Sequence, residues 1–427
     1  MNKLSISVTG DALITQRLPK DDPRLKALRE ILMKCDVRFT NLETSIHRYE
    51  KDVFPSRHSG GDWINANPDV LTDLLWMSFN LMSCPNNHSL DWSHGGLLRT
   101  IENLEREKIV FAGIGRNLYE ASRPRYLETS KGRVALIAVN TTFRDWHPAG
   151  EQRKDFIGRP GINPLHFTTI HRIEEEDLKV LKKLAEYTEI NKRVKNEQEE
   201  IFQFGEYYFE IGEPGTYTKM NESDGNRIKK SIDEALRQAD VVLVSSHSHE
   251  MIGLNKEKIA EFQQEFAHMC IDAGAHAYIG HGPHVLRGIE IYNEKPIFHG
   301  LGDFFYQAEL IEVQPTEFYE KYGNLSAEHC TADGYDFRIQ SKGALNNETN
   351  PKTYESIIAA FDMINDQVQN IILHPITLGF KQHRSKKGTP ELASDEDAMR
   401  ILGEIQDLSK PFGTIIEIKE GKGRIKI

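Results

Sequence analysis

Two short stretches carry paired histidines directly after apolar runs. Val241–Ser246 leads into His247-Ser248-His249-Glu250, and Ala277–Ile279 leads into Gly280-His281-Gly282-Pro283-His284. Imidazole is the commonest nitrogen ligand for zinc and related ions, and spacings of two or three residues can turn both rings to one side of a loop. Gly280 and Gly282 also let the backbone approach an ion closely. Packing alone explains two such loops poorly. Coordination of a divalent cation explains them well.

Three earlier clusters share the same placement after an apolar strand. In Ser7-Val8-Thr9-Gly10-Asp11 the glycine allows a tight exit and Asp11 offers a hard oxygen ligand. Alone, a Gly-Asp turn after a strand is commonplace. In Arg38-Phe39-Thr40-Asn41-Leu42-Glu43-Thr44, Glu43 could bridge two ions or simply cap a helix. Cys84-Pro85-Asn86-Asn87-His88-Ser89-Leu90-Asp91 places an amide ligand, Asn87, beside His88, an imidazole suited to general acid or base work. The bland alternative there is a turn followed by a surface histidine. The remaining histidines lack such context and are expected in packing or on the surface, with His47 and His58 the two that could approach the pocket.

Strand ends are where α/β folds assemble sites, so the elements must be strands alternating with amphipathic helices. The sequence predicts strands at Ser5–Val8, Val37–Asn41, Leu81–Cys84, Ile109–Ala112 and Val134–Ala138. Helices are expected at Asp22–Met33, Val70–Phe79 and Gly96–Glu107, the last with Leu97, Leu98, Ile101 and Leu104 on one face. Residues 145–238, with a densely charged helix over Ile173–Glu200 and another at Arg227–Gln238, are expected to be an insertion. The alternation resumes with strands Val241–Ser245 and Ala277–Ile279 around a helix at Lys256–Ala273. A hairpin is expected from Gly288–Tyr292 into Ile297–Gly300. Residues 308–352 are polar and predict loops. A hairpin (Ile357–Met363, Asn370–Pro375), a helix (Asp395–Leu408) and a strand pair in Gly413–Ile427 close the chain. The expected division is a catalytic core over 1–307 and a region, 308–427, completing the same domain.

Composition narrows the partners. The 427 residues carry 53 Lys+Arg against 64 Asp+Glu, a net charge of -11, which argues against nucleic acid as main partner because phosphate contacts need a basic footprint. Four cysteines stand far apart without a CxxC pair, as expected of reduced, mostly packed thiols. No stretch approaches the ~20 apolar residues of a membrane helix, and Leu4–Val8 already looks like a strand rather than a leader. No membrane partner and a cytoplasmic location are the expectations.

In this order, Gly10-Asp11, Asn41-Leu42-Glu43, Asn86-Asn87-His88, the His247 strand end and Gly280-His281-Gly282-Pro283-His284 resemble the CapA family. That family is named for poly-γ-glutamate capsule synthesis and is related to calcineurin-like metallophosphoesterases. Gly113-Ile114-Gly115-Arg116-Asn117, Arg159–Leu165 and Pro296–Phe304 support the resemblance, which spans residues 4–307. It implies a four-layer αββα sandwich, here with an inserted helical segment, and one or two divalent ions (Mn, Zn, Mg, Fe or Ca) at the sheet edge. Asp11 then resembles a ligand of the first ion and Glu43 the bridging carboxylate. Asn87, His247 and His281 resemble ligands of the second, with His284 returning to the first and His88 transferring protons. Two departures stand out. Leu13 occupies the place of the histidine in an Asp-x-His motif, and Ser248-His249 replace a Trp-Gly pair, leaving His249 as an extra ligand or acid/base.

Such a site predicts hydrolysis of an amide, γ-glutamyl or phosphoester bond in an anionic small-molecule or peptide substrate, oriented by Arg116 and Arg287. One alternative is a metal-dependent epimerase that uses His88 and His249 as opposed bases. Another is an accessory protein that binds a γ-glutamyl chain without turnover.

Overall fold

Residues 134–139 are apolar at every position, a pattern that asks for burial on both faces of a strand rather than one. The computed structural model, which describes residues 3–192, 201–322, 327–342 and 347–427, supplies both faces. Val134, Leu136 and Ala138 point into a core shared with a second sheet, while Ala135, Ile137 and Val139 point outward beneath helices. Val241–His247 divides in the same way.

The result is four layers. A ten-stranded sheet and a six-stranded sheet pack face to face. Leu4, Ile6, Val8, Val37 and Phe39 of the larger sheet meet Leu243, Ala277 and Ile279 of the smaller one. Helices Pro23–Leu32, Asp69–Trp76 and Ser93–Arg106 cover the outer face of the larger sheet through residues such as Leu25, Leu28, Leu32, Leu97, Ile101 and Leu104. That three-to-four-residue spacing places each set on one helix face. Helices Glu222–Leu236 and Glu261–Asp272 cover the smaller sheet.

The site-bearing strands run parallel within each sheet. Leu4–Leu13, Val37–Leu42, Leu81–Ser83 and Val110–Ala112 form one parallel set, and Gly132–Asn140, Val241–His247 and Ala277–His281 the other. Their carboxyl ends deliver Asp11, Glu43, Asn87, His247 and His281 to one edge of the sandwich. The first strand is irregular just before its ligand: the register shifts between Val8 and Asp11. A Cβ at Gly10 would lie 1.7 Å from the Gly302 carbonyl oxygen, so only glycine permits that approach.

The region after residue 308 is part of the same sheet. Glu355–Ile364 pairs antiparallel with Leu4–Leu13 and forms a hairpin with Gln367–Thr377. Its turn residues Asn365 and Asp366 both have positive φ, the two-residue geometry that matches strand twist. Helix Asp395–Ser409 inserts Ile401, Leu402 and Ile405 into the inter-sheet core.

Several elements differ from expectation. The inserted segment contains its helix, Glu175–Thr188, but also a four-stranded sheet built from Phe167–Ile173, Phe202–Phe204, Tyr207–Ile211 and Gly215–Met220. Residues 193–200 of the expected long helix lie outside the described residues. Glu222–Leu236 is a covering helix of the core, because Ile228, Ile232 and Ala235 pack on the smaller sheet. The helix expected from Lys256 begins at Glu261; Asn255–Ile259, which has no helical apolar spacing, pairs with Met251–Ile252 instead. Within 308–352, Thr316–Lys321 and Thr331–Lys342 are helical, held by Phe318, Tyr322 and Tyr335 packed against Trp63 and Trp92. Aromatic anchors do there what a periodic aliphatic stripe does elsewhere.

His276 ties two elements of the smaller sheet together. Its Nδ1 accepts from the Val242 amide at 3.1 Å, and its own amide donates to the Val242 carbonyl. Burial, with Lys295 nearby, holds its pKa down to about 4. The folded chain therefore binds fewer protons than the unfolded one below the ordinary histidine value, and stability falls as pH drops from about 6.5 to about 4. Urea midpoints across that window should fall, with His276 contributing on the order of 3 kcal/mol. His276→Gln should flatten the decline, and an unchanged slope would refute the assignment.

Candidate metal centre

Each donor reaches the centre by a strand end. Asp11 Oδ1 accepts from Asn41 Nδ2 at 2.7 Å, and Oδ2 accepts from the Gly282 amide at 2.8 Å. The two loops thereby fix the carboxylate from both sheets. His247 and His281 are register partners on adjacent strands, with their Nδ1 atoms 3.0 Å apart and 3.5 and 3.3 Å from Asp11 Oδ1. His247 Nε2 lies 2.7 Å from Asn87 Oδ1 and 3.1 Å from His249 Nε2. His284 adopts φ +58°, an uncommon conformation for a non-glycine residue, and its Nδ1 sits 2.9 Å from Asp303 Oδ1.

Three overlapping groups bring ligand atoms within 4.8 Å of one another: Asp11, His247 and His281; Glu43, His249 and His284; and Asp11, Glu43, His284 and Asp303. Nearly all of these side chains are buried.

The charges show why a cation fits. Both Glu43 oxygens are buried with no hydrogen-bond partner, and so is Asp303 Oδ2. No Lys or Arg ion pair reaches Asp11, Glu43 or Asp303 among the described residues. Burial, then repulsion from Asp11, Asp303 and Asp91, pushes the Glu43 carboxyl well above its ordinary range. Burial likewise raises Asp303 to about 6 against the pull of His284. Burial would raise Asp11 too, but His247 and His281 outweigh it and bring it well below the usual carboxylate value. Burial holds His247 down to about 4 and His249 well below the normal imidazole value, so both offer neutral nitrogen. Buried carboxylate oxygens without partners on Glu43 and Asp303, faced by the neutral imidazoles of His247 and His249, suit a divalent ion.

His88 stands at the rim. Its Nδ1 lies 2.6 Å from Asp91 Oδ2, and its Nε2 faces Glu43 Oε1 at 3.9 Å. Asp91 is itself held by the amides of Gly60 and Ile64, both at 2.9 Å.

The structure thus brings together Asp11, Glu43, Asn87, His88, His247, His249, His281 and His284. It places the two expected substrate-binding arginines elsewhere. Arg116 forms ion pairs with Glu105 at 2.8 Å and Glu120 at 3.5 Å. Arg287 is buried, and its nitrogens hold the carbonyls of Lys256 and Glu250 and the Gln263 side chain. It braces the loop that carries His249. His47 packs edge to face with Tyr49 and Trp92. Leu13, at the place of the missing motif histidine, packs with Ile64 and Tyr306.

Two residues escaped the sequence. Asp303 pairs in register with Asp11, and Gly302-Asp303 repeats the Gly10-Asp11 pattern after an apolar strand. That repetition was the available signal. Asp91, three residues after His88, had only its spacing to mark it.

The family model described as bacterial capsule synthesis protein PGA_cap matches residues 5–308. The chain is 34% identical to the uncharacterized protein y4sH of Sinorhizobium fredii, over 98% of this chain and 92% of that one. It is 25% identical to the PGA biosynthesis protein CapA of Bacillus subtilis and 32% identical to the capsule biosynthesis protein CapA of Bacillus anthracis. Those matches cover 71% of this chain and 63% and 60% of the two relatives. Among solved structures, a Staphylococcus aureus chain assigned as a 5'-nucleotidase, in complex with α-ketoglutarate, aligns over 95% of this chain and 58% of its own. Its identity is 11% and its TM-score 0.38.

Elemental analysis should find a divalent metal in the native protein, with most of it lost in Asp11→Ala and His281→Ala. Asp303→Asn should weaken metal affinity by about 10-fold or more, since a carboxylate bonded to a ligating imidazole already contributes that much. Protein that stays metal-free after reconstitution with Mn, Zn and Ca would refute the site.

Proposed function

This chain belongs to the bacterial capsule synthesis protein PGA_cap family, and from that premise and the donor set we propose that it is a metal-dependent hydrolase of an anionic amide, γ-glutamyl or phosphoester substrate. The observation that carries the reading is the His88–Asp91 pair beside the donor cluster.

Asp91, when ionised, can only accept hydrogen bonds. Its Oδ2 therefore accepts a hydrogen bond from the Nδ1–H of His88, which keeps its proton, and a second from the Ile64 amide. That fixes the tautomer and leaves His88 Nε2 as the proton acceptor on the side of Glu43. Asp11, Glu43, Asn87, His247, His281, His284 and Asp303 would hold the divalent metal, which when bound would supply Lewis acidity beside His88. His88 Nε2 takes the proton released on attack and returns it to the leaving group. Asn87 is fixed by its amide, which donates to the Gly60 carbonyl at 3.2 Å and turns its oxygen toward the donor nitrogens of His247 and His249. Lys321 Nζ, bonded to the Gly61 carbonyl at 2.5 Å on the loop against the His88 ring, offers one cation to an anionic substrate.

Hydrolysis is favoured over two-base epimerisation by the position of His249. Its Nε2 lies 3.1 Å from His247 Nε2 and 3.3 Å from Asn87 Oδ1, among the donors rather than opposite His88.

His88→Asn should lower kcat by about 10²- to 10⁴-fold, the usual worth of a general acid–base group, while metal content stays at the wild-type level. Asp91→Asn should also lower kcat and shift the acidic limb of the pH–rate profile. The assay should offer γ-glutamyl peptides, simple amides and phosphomonoesters to metal-loaded protein. Metal binding without turnover of any of these would leave the accessory binding role in place of hydrolysis. Deuterium entry from heavy water without bond cleavage would favour the epimerase.

A further inference from the structure

Far from the donors, the edges of the two sheets meet. Arg125–Thr129 borders the smaller sheet, Val110–Ala112 borders the larger one, and a cleft of about 530 Å³ opens between them. It shares no lining residue with the metal centre.

Its walls are cations on aromatic rings. Arg125 lies over Phe111 at 5.3 Å, Arg123 over Tyr119 at 5.8 Å and Arg133 over Tyr126 at 4.2 Å. Arg123 Nε, Arg125 Nε and the Tyr126 hydroxyl are buried without a hydrogen-bond partner. Neither Arg123 nor Arg125 makes a side-chain hydrogen bond or ion pair with any described residue, whereas most of the neighbouring acids are taken. Glu105 and Glu120 pair with Arg116 and Glu128 pairs with Arg133, while Glu234, also in the lining, makes no ion pair with a described residue and accepts only from Gln238 at 3.4 Å. Burial and repulsion from Arg123 hold Arg125 below the ordinary arginine value. Two guanidiniums two residues apart in a partly dry cleft, with donors to spare and no acid paired to either, are relieved by an anion. Two positive charges match a doubly charged oxyanion better than a monoanion, and the planar guanidinium fork suits phosphate.

We propose that this cleft is a second ligand site, which takes a phosphate-type dianion between Arg123 and Arg125.

Inorganic phosphate titrated calorimetrically into the full-length chain tests this. The titration is repeated in Asp11→Ala, which removes phosphate binding that depends on the metal centre. Saturable binding should survive in Asp11→Ala and weaken at least tenfold on adding Arg125→Gln. Arg123→Gln in the otherwise native chain serves as a second variant, its fold checked by circular dichroism, and should give a comparable loss. Acetate at equal ionic strength should bind at least tenfold more weakly than phosphate. The proposal is overturned if phosphate does not saturate, if both arginine variants titrate like their parents, or if acetate binds as well.

Discussion

Glu43 is the constraint around which the site is built. A carboxylate sealed from water with neither oxygen hydrogen-bonded is among the least stable arrangements a protein can hold. Three other acids, Asp11, Asp303 and Asp91, repel it rather than relieve it. Burial keeps His247 and His249 uncharged, so neither neutralises it, and His284, which Asp303 raises against burial, has its Nδ1 on Asp303. A divalent cation would satisfy all of these groups at once, which would couple metal binding to folding. The core must supply enough stability to hold the acids together.

It does so by convergence of two sheets. Asp11 shows how tightly. The Gly282 amide from one sheet and Asn41 from the other grip the same carboxylate, and Gly10 presses against the Gly302 carbonyl just before it. The irregular register at that point re-aims Asp11 out of the pleat. His284 adds a local cost, sitting at φ +58° so that its ring can meet Asp303. Backbone strain of this kind persists only where the surroundings over-determine it.

The parallel strands and the donors at their ends were legible in the sequence, because a strand buried on both faces has a continuous apolar run and an abrupt polar end. Val241–His247 and Ala277–His281 show this most clearly. Long amphipathic helices were legible for the same reason. What escaped was held by features without a period. The helices Thr316–Lys321 and Thr331–Lys342 are anchored by a few aromatics in polar surroundings, and the insertion's strands are only half-buried. Arginine roles escaped as well, since a guanidinium that braces carbonyls, as Arg287 does, cannot be told from one facing a substrate by residue type alone.

The region beyond the family match, after residue 308, reaches the His88–Asp91 pair through residues 60–64. Arg338, on helix Thr331–Lys342, forms a buried ion pair with Asp62 and lies 3.0 Å from Glu348. Asp62 stands between Gly60 and Ile64, whose amides hold the two oxygens of Asp91. Lys321, from the neighbouring helix, holds the Gly61 carbonyl of the same loop. A continuous set of contacts therefore runs from the C-terminal helices through residues 60–64 to Asp91, and from Asp91 to the imidazole of His88. The donors come from strand ends within the matched region, whereas the wall that orients the proton-transfer group is braced from outside it. On the proposed reading, the metal donors and the proton-transfer histidine would thus be braced from different parts of the chain. Substitutions at Asp62 or Arg338 should therefore disturb the aim of His88 before they disturb the donors.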